Sequence, residues 1–313
     1  MSESLLSFRR SKDRLARRFF WVLAALPIIL IMAILVLLLL RSWPILHTKP
    51  LADLFTGRVW LPSKGLFGFL PFIIGTIWVT IVAMVIAVPP CILTAIFLAE
   101  YARPRLQNMM KPLLDLLAAI PSVVYGVWGM LTIVPMVQSI GPTISDALGV
   151  IPILKSHNPT GFSVLAGGIV LAVMVAPFII AVTYEVLRTV PSGYREASLA
   201  VGATKWETVK YAVVPQTLRG IIAGSVLGAS RALGETMAVL MVVGNVAKVP
   251  VSLFDPAYPI PALIANNYGE MMSIPSYESA FMLAALLLLL IVLLFSIVAA
   301  VLLVGIKRRY VVA

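Results

Sequence analysis

Phe20-Trp-Val-Leu-Ala-Ala-Leu-Pro-Ile-Ile-Leu-Ile-Met-Ala-Ile-Leu-Val-Leu-Leu-Leu-Leu40 runs for 21 residues without a charged side chain. A helix needs about 20 apolar residues to cross the hydrocarbon core of a bilayer. Six basic residues (Arg9, Arg10, Lys12, Arg14, Arg17 and Arg18) precede it, and Arg41-Ser42-Trp43-Pro44 comes after it. A basic arm before an apolar run also describes a secretion signal. This run is too long for the apolar part of one, however, and no small-residue cleavage pattern comes next. It reads as a retained span.

Working outward, five more stretches have the same character: Pro71–Leu98, Pro112–Val137, Ser163–Leu187, Gly220–Val243 and Ala280–Gly305. Hydrophobic residues make up 61% of the 313 positions and charged ones 12%, against roughly 25% charged in a soluble domain. Lipid is the solvent that tolerates so much apolar surface. The expectation is an all-α integral membrane protein, a bundle of six helices.

The net charge of +11 raises the question of nucleic acid, but the basic residues flank apolar runs. They do not interleave with aromatics in a patch, so no nucleic-acid partner is expected. Cys91 is the only cysteine and lies within an apolar run, while His47 and His157 lie in separate polar loops. No disulfide within the chain and no metal site are expected.

Basic residues concentrate in cytoplasmic loops of membrane proteins. One set of segments holds the amino-terminal arm and Arg103, Arg105, Lys111, Arg188, Arg195, Lys205, Lys210, Arg219, Lys307, Arg308 and Arg309, 17 residues in all. The opposite set holds six, namely Arg41, Lys49, Arg58, Lys64, Lys155 and Lys248. That asymmetry places both termini in the cytoplasm, which requires an even number of spans. The outer loops, about 41–70, 138–162 and 244–279, are rich in Pro, Gly and aromatics. Trp43, Trp60, Tyr258 and Tyr277 are candidates for the membrane interface. No GxxxxGK[ST] phosphate loop occurs, so ATP-driven work would need a partner.

The loop Val190–Pro215 reads as two short helices joined at Gly202. Pro191 opens the first, and Gly202 suits the position after a helix end, where positive φ costs a glycine nothing. Thr204 and Glu207 have the spacing of a capping box, and Pro215 is expected to end the second helix. Ala197 and Ala200 permit close contact, so the element fits the groove of a partner protein. An amphipathic loop resting on lipid headgroups fits the local residues equally well.

Span five contains Gly220, Gly224, Gly228 and Ala232 at intervals of four, a face for close helix packing. Arg231 and Glu235 lie on a neighbouring face, also four apart, where side chains meet. A charge at the bilayer centre costs about 2.5–3.5 kcal/mol on insertion scales. A helix–helix salt bridge is one reading of the pair. The other is that Arg231 meets an anion in transit, since its fork of donors suits phosphate or sulfate. A carboxylate at Glu235 could then accept the O–H of hydrogen phosphate, which sulfate lacks. In span three, Pro121 interrupts the run, Gly126 permits close approach, and Ser122 and Tyr125 offer hydroxyls. Irregular backbone at this depth lines a cavity or is buried in protein, and a packing kink is equally consistent. Asp115 and Glu185 lie near cytoplasmic ends, where a solvated role is expected.

Glu196-Ala197-Ser198, three residues, Gly202, nine residues, then Ala212-Val213-Val214-Pro215 resembles the EAA loop of ABC importer permeases. Ser198, Ala212 and Val214 depart from that pattern by small or apolar swaps. Together with Leu117–Gly126, Gly75-Thr76, Leu98-Ala-Glu-Tyr101 and Arg231-Ala-Leu-Gly-Glu-Thr-Met-Ala-Val239, the chain is similar to PstC-type permeases of bacterial phosphate importers. The resemblance implies the type I ABC importer (MetI-like) fold, a multi-pass inner-membrane location and a docking role for Glu196, Ala197 and Gly202. It also implies that Arg231 and Glu235 are critical to translocation. The implied partners are a PstA-like sister permease, two PstB-like ATPase subunits that bind ATP and Mg, and a PstS-like receptor. No cofactor is expected in this chain. The implied layout is a basic arm over 1–19, a first helix over 20–40 and an outer loop over 41–70. A five-helix permease domain over 71–306 and a tail over 307–313 complete it. A permease for sulfate or molybdate would share the fold. A gradient-driven transporter would need its own coupling site or an inverted repeat, and a purely structural subunit would leave the intramembrane charges unexplained.

Overall fold

A computed structural model describes residues 3–156, 158–271 and 275–310; His157 and Val311–Ala313, the end of the tail, lie outside the described residues. In chain order the helices are α1 (Glu3–Thr48), α2 (Leu51–Thr56), α3 (Leu70–Ile96), α4 (Pro104–Ala119), α5 (Ser122–Trp128), α6 (Val134–Leu148) and α7 (Val164–Arg188). They continue with α8 (Ser192–Ala200), α9 (Lys205–Glu207), α10 (Val214–Leu233), α11 (Met237–Leu240), α12 (Ile260–Met271) and α13 (Pro275–Tyr310). Strands β1 (Trp60–Leu61) and β2 (Leu66–Phe67) pair antiparallel in a small hairpin. Wide π-helical turns join α3 to Tyr101, α5 to α6, and α9 to α10.

Among the described residues six helical segments are long and apolar enough to cross a membrane: Ala16–Thr48, Leu70–Tyr101, Ser122–Ala147, Val164–Arg188, Lys205–Leu233 and Tyr277–Leu303. The fold is therefore the expected helical bundle, with one register corrected. The third apolar run does not span from Pro112 to Val137. It is cut at Ile120-Pro121, where both residues are extended. Residues up to Ala119 form the separate helix α4, and the span begins at Ser122. Proline forces its predecessor out of the α region, so Pro121 divides two helices instead of kinking one.

Helix α7 is the hub. It packs against α3 along much of its length and against α10, and it approaches both through glycine. Cβ atoms added at Gly220, Gly224 and Gly228 would meet Val186, Val182 and Ile179 at 2.2, 3.0 and 2.7 Å. The four-residue glycine face thus serves contact within the chain. Gly168 of α7 makes the equivalent contact with Val82 of α3, where a Cβ would lie 2.4 Å from Cγ1.

Helix α1 lies against α13, and the most apolar window of its span is unburied within the chain. An aromatic cluster closes one end of the bundle. The Trp60 ring stands edge-on to Phe67, Phe69 and Phe72, with centroids 5.0–5.5 Å apart, and Phe72 meets Tyr258. Tyr258 is buried and Trp60 and Tyr277 half-buried in this cluster, while Trp43 is exposed beside His47.

Candidate functional site

Two interrupted spans meet in the middle of the molecule. Helix α10 ends at Leu233, and Gly234 to Thr236 break the chain before the short α11 begins. Helix α11 packs on α5, which starts just after the Pro121 break. Gly126 makes that contact possible, because a Cβ there would stand 2.7 Å from Met241 Sδ and 3.2 Å from Ala238 Cα. After α11 the chain turns at Gly244 and Asn245, both at positive φ, and crosses the start of α7. Val242 and Asp255 carbonyls accept from Ser163 and Val164 N–H.

The break separates the two charges that a continuous helix would have paired. Arg231 is exposed at the end of α10, and among the described residues no ion pair joins it to Glu235. Glu235 is half-buried and lines a small cavity with Thr76, Thr80, Val239 and Pro259. Its Oε1 accepts from Ala238 N–H at 3.4 Å. The expected ion pair on one helix is thus corrected: the carboxylate turns toward α3 while the guanidinium faces outward. Tyr125 is buried and donates its hydroxyl to the Leu117 carbonyl at 2.9 Å, bridging the Pro121 break. Ser122, half-buried, opens α5. Leu227 and Met237 on the Arg231 segment and Val123, Val127 and Trp128 on α5 are exposed apolar side chains.

At one end of the bundle the loop 190–215 folds as a hairpin of helices. Gly202 adopts φ +87. Its N–H donates to Leu199 and that of Ala203 to Ser198, the paired closure of a Schellman motif. Thr204 and Glu207 form the capping box reciprocally. Pro215, expected to stop the second helix, does not. The π-helical turn Thr208–Val213 precedes it, and the Thr217 hydroxyl donates to the Val213 and Val214 carbonyls at 3.1 Å. Helix α9 therefore runs into α10 without interruption, and the 29 residues Lys205–Leu233 make one rod of about 44 Å at 1.5 Å per residue. Glu196, Ala197 and Gly202 are exposed at its tip, among exposed Tyr194, Leu199, Val201 and Trp206.

Two site-forming features have no clear signal in the sequence. One is the break at Gly234–Thr236, for which a lone glycine in a glycine-rich span gives no warning. The other is Glu100, whose carboxylate binds Arg195 at 2.6 Å and, by that hydrogen bond, raises the guanidinium's pKa further. The separation of 95 residues conceals the pair.

The family of binding-protein-dependent transport system inner membrane components matches residues 91–310. A phosphate transport system permease protein PstC of Xylella fastidiosa (strain 9a5c) is 42% identical over 233 residues, 73% of this chain and 71% of that protein. A PstC of Mesorhizobium japonicum is 37% identical over 284 residues, 86% of each. Among solved structures, an inward-facing conformation of the MetNI methionine ABC transporter shares the fold, with a TM-score of 0.55 at 18% identity. The match covers 79% of this chain and 99% of that one.

Proposed function

The chain belongs to the binding-protein-dependent transport system inner membrane components and, within them, to the PstC phosphate permeases, and from that premise we propose how it works. It is the permease subunit of an ATP-driven phosphate importer and forms half of the translocation path. The observation that carries the mechanism is the unbroken rod from Lys205 to Leu233. One end carries the docking hairpin, with Glu196, Ala197 and Gly202 exposed; the other carries Arg231. A displacement imposed on α8 passes only the short turn at Gly202, closed by the Gly202 and Ala203 N–H bonds, before it enters the helix that runs to the arginine.

Arg231 is the anion contact. A lone guanidinium at membrane depth is costly unless water or an anion faces it, and its fork of donors suits phosphate oxygens. Glu235 joins the site when the Gly234–Thr236 break moves, and accepts the O–H of hydrogen phosphate. Ser122 and Tyr125 hold the facing wall, with Tyr125 fixing α5 to α4 through Leu117.

The chain itself hydrolyses nothing and holds no cofactor in this reading. Two PstB-like ATPases bind ATP and Mg, a PstA-like sister permease covers the exposed apolar side chains of α5 and α10, and a PstS-like receptor delivers phosphate to the outer loops. Both termini and the docking hairpin lie in the cytoplasm.

The test is reconstitution of the purified complex in vesicles loaded with ATP and supplied with receptor. Uptake of labelled phosphate is expected and should resist excess sulfate and molybdate. Efficient competition by sulfate would assign the path to another oxyanion, and uptake without an ATPase subunit would overturn the ATP-driven reading.

A further inference from the structure

The turn Phe97–Tyr101, which ends the second span, is π-helical. A π-turn adds one residue to the helical ladder, and such bulges cluster at functional sites. The extra residue rotates the downstream chain by about 100°, since each helical residue advances the chain by that angle. Glu100 and Tyr101 are the residues it re-aims. Both reach the docking hairpin, and each holds a different half of it.

Glu100 takes the first half. Its side chain is only 7% exposed and binds Arg195 of α8. Arg195 Nε and Nη2 donate to the two carboxylate oxygens at 2.6–3.2 Å. The same guanidinium donates to the Leu187 and Val190 carbonyls at 3.1 and 2.7 Å. One side chain thus ties together the ends of spans two and four and the docking helix. Tyr101 takes the second half, with Lys205 Nζ 4.7 Å from its ring centroid at the start of α9. Gln107 fixes the turn's exit, donating to the Leu98 and Ala102 carbonyls at 3.0 and 3.1 Å. A buried ion pair contributes little net stability compared with apolar packing, but it specifies a geometry, and removing one partner is costly.

We propose that the Phe97–Tyr101 turn is a clamp that joins span two to both halves of the docking hairpin, through Glu100–Arg195 and Tyr101–Lys205. Displacement of the hairpin therefore moves span two with the Lys205–Leu233 rod. Without the clamp the hairpin tilts alone, and ATP is spent without transport. The clamp rests on the reading of the chain as an ATP-driven phosphate permease.

The experiment measures phosphate transported per ATP hydrolysed in the reconstituted complex. Glu100→Gln keeps the shape and removes the charge; Lys205→Met removes the cation over the ring from an exposed position. Both are expected to keep ATP hydrolysis and lower the ratio several-fold, whereas Tyr101→Phe keeps the ring face and the ratio. A wild-type ratio in both Glu100→Gln and Lys205→Met overturns the clamp. If Glu100→Gln fails to assemble, a wild-type ratio in Lys205→Met alone overturns it. If the unaltered complex takes up no phosphate, the permease reading fails. Amide exchange over 190–213 then decides the clamp by itself: faster exchange in Glu100→Gln supports it, and unchanged exchange overturns it.

Discussion

Arg231 and Glu235 are four residues apart, yet they do different work because Gly234 to Thr236 leave the helix. Arginine is charged at any accessible pH, and hydrogen bonds to charged groups contribute about 1.5–3 kcal/mol. Arg231→Ala is therefore expected to lower phosphate uptake by about 10- to 100-fold, with the complex still assembled. Arg231→Lys should retain part of the activity, since it keeps the charge and loses the fork. Glu235→Gln removes the charge at nearly constant shape, and reduced phosphate flux is expected; unchanged flux would discard the carboxylate as acceptor of the hydrogen phosphate proton. All three are read as initial uptake rates in the same vesicles. The residue types were legible in the sequence, because a charge in an apolar run stands out. Their relation was not, because helical spacing predicts contact only where the helix continues.

Proline shows the same limit at the scale of the element. Pro121 and Pro215 read alike as interruptions, and the structure treats them in opposite ways. At Pro121 two consecutive extended residues divide α4 from α5. At Pro215 a π-helical turn precedes the ring, and Thr217 occupies the nearby carbonyls, so the rod continues. A π-turn depends on tertiary fit and leaves no period in the sequence, which is why the sequence alone suggests a short coupling helix. By contrast, the Thr204–Glu207 capping box and the Gly202 turn arise from local chemistry and were legible. The glycine face of α10 gives a prediction for the element. A Cβ at Gly228 already comes within 2.7 Å of Ile179 Cγ1, so Gly228→Leu should force α10 from α7 and abolish a stably assembled permease. Gly193 has no atom within 4 Å of an added Cβ, so Gly193→Ala should leave assembly unchanged. Size-exclusion recovery of the complex in detergent separates the two outcomes. Gly202→Ala, at φ +87, is expected to cost about 1–2 kcal/mol in the hairpin and to weaken retention of the ATPase subunit in the same assay.

For the whole molecule, the bundle's two ends carry different chemistry. At one end the Glu100–Arg195 and Lys111–Glu185 ion pairs lie beside a docking hairpin that projects exposed apolar side chains, while Arg41 pairs with Glu278 toward the opposite end. The other end is closed by the aromatic cluster around Trp60 and Phe72. Six spans and the excess of basic residues on the docking side support the proposed cytoplasmic placement of that end. The count of spans was legible because apolar length is a one-dimensional property, and orientation is argued from charge in the same way. Cysteine labelling in intact cells tests it. Cys91 is 3% exposed and should stay silent toward a membrane-impermeant maleimide, so single cysteines can be added to the native chain. Val150, 96% exposed in the loop between the third and fourth spans, is expected on the proposed orientation to label as Val150→Cys without permeabilisation. Val201, 85% exposed on the docking hairpin, should label as Val201→Cys only after the membrane is opened, and less when the ATPase subunit is co-expressed and covers it. Labelling of Val201→Cys from outside in intact cells would invert the molecule, and the proposed docking of an ATPase on that hairpin would fall with it.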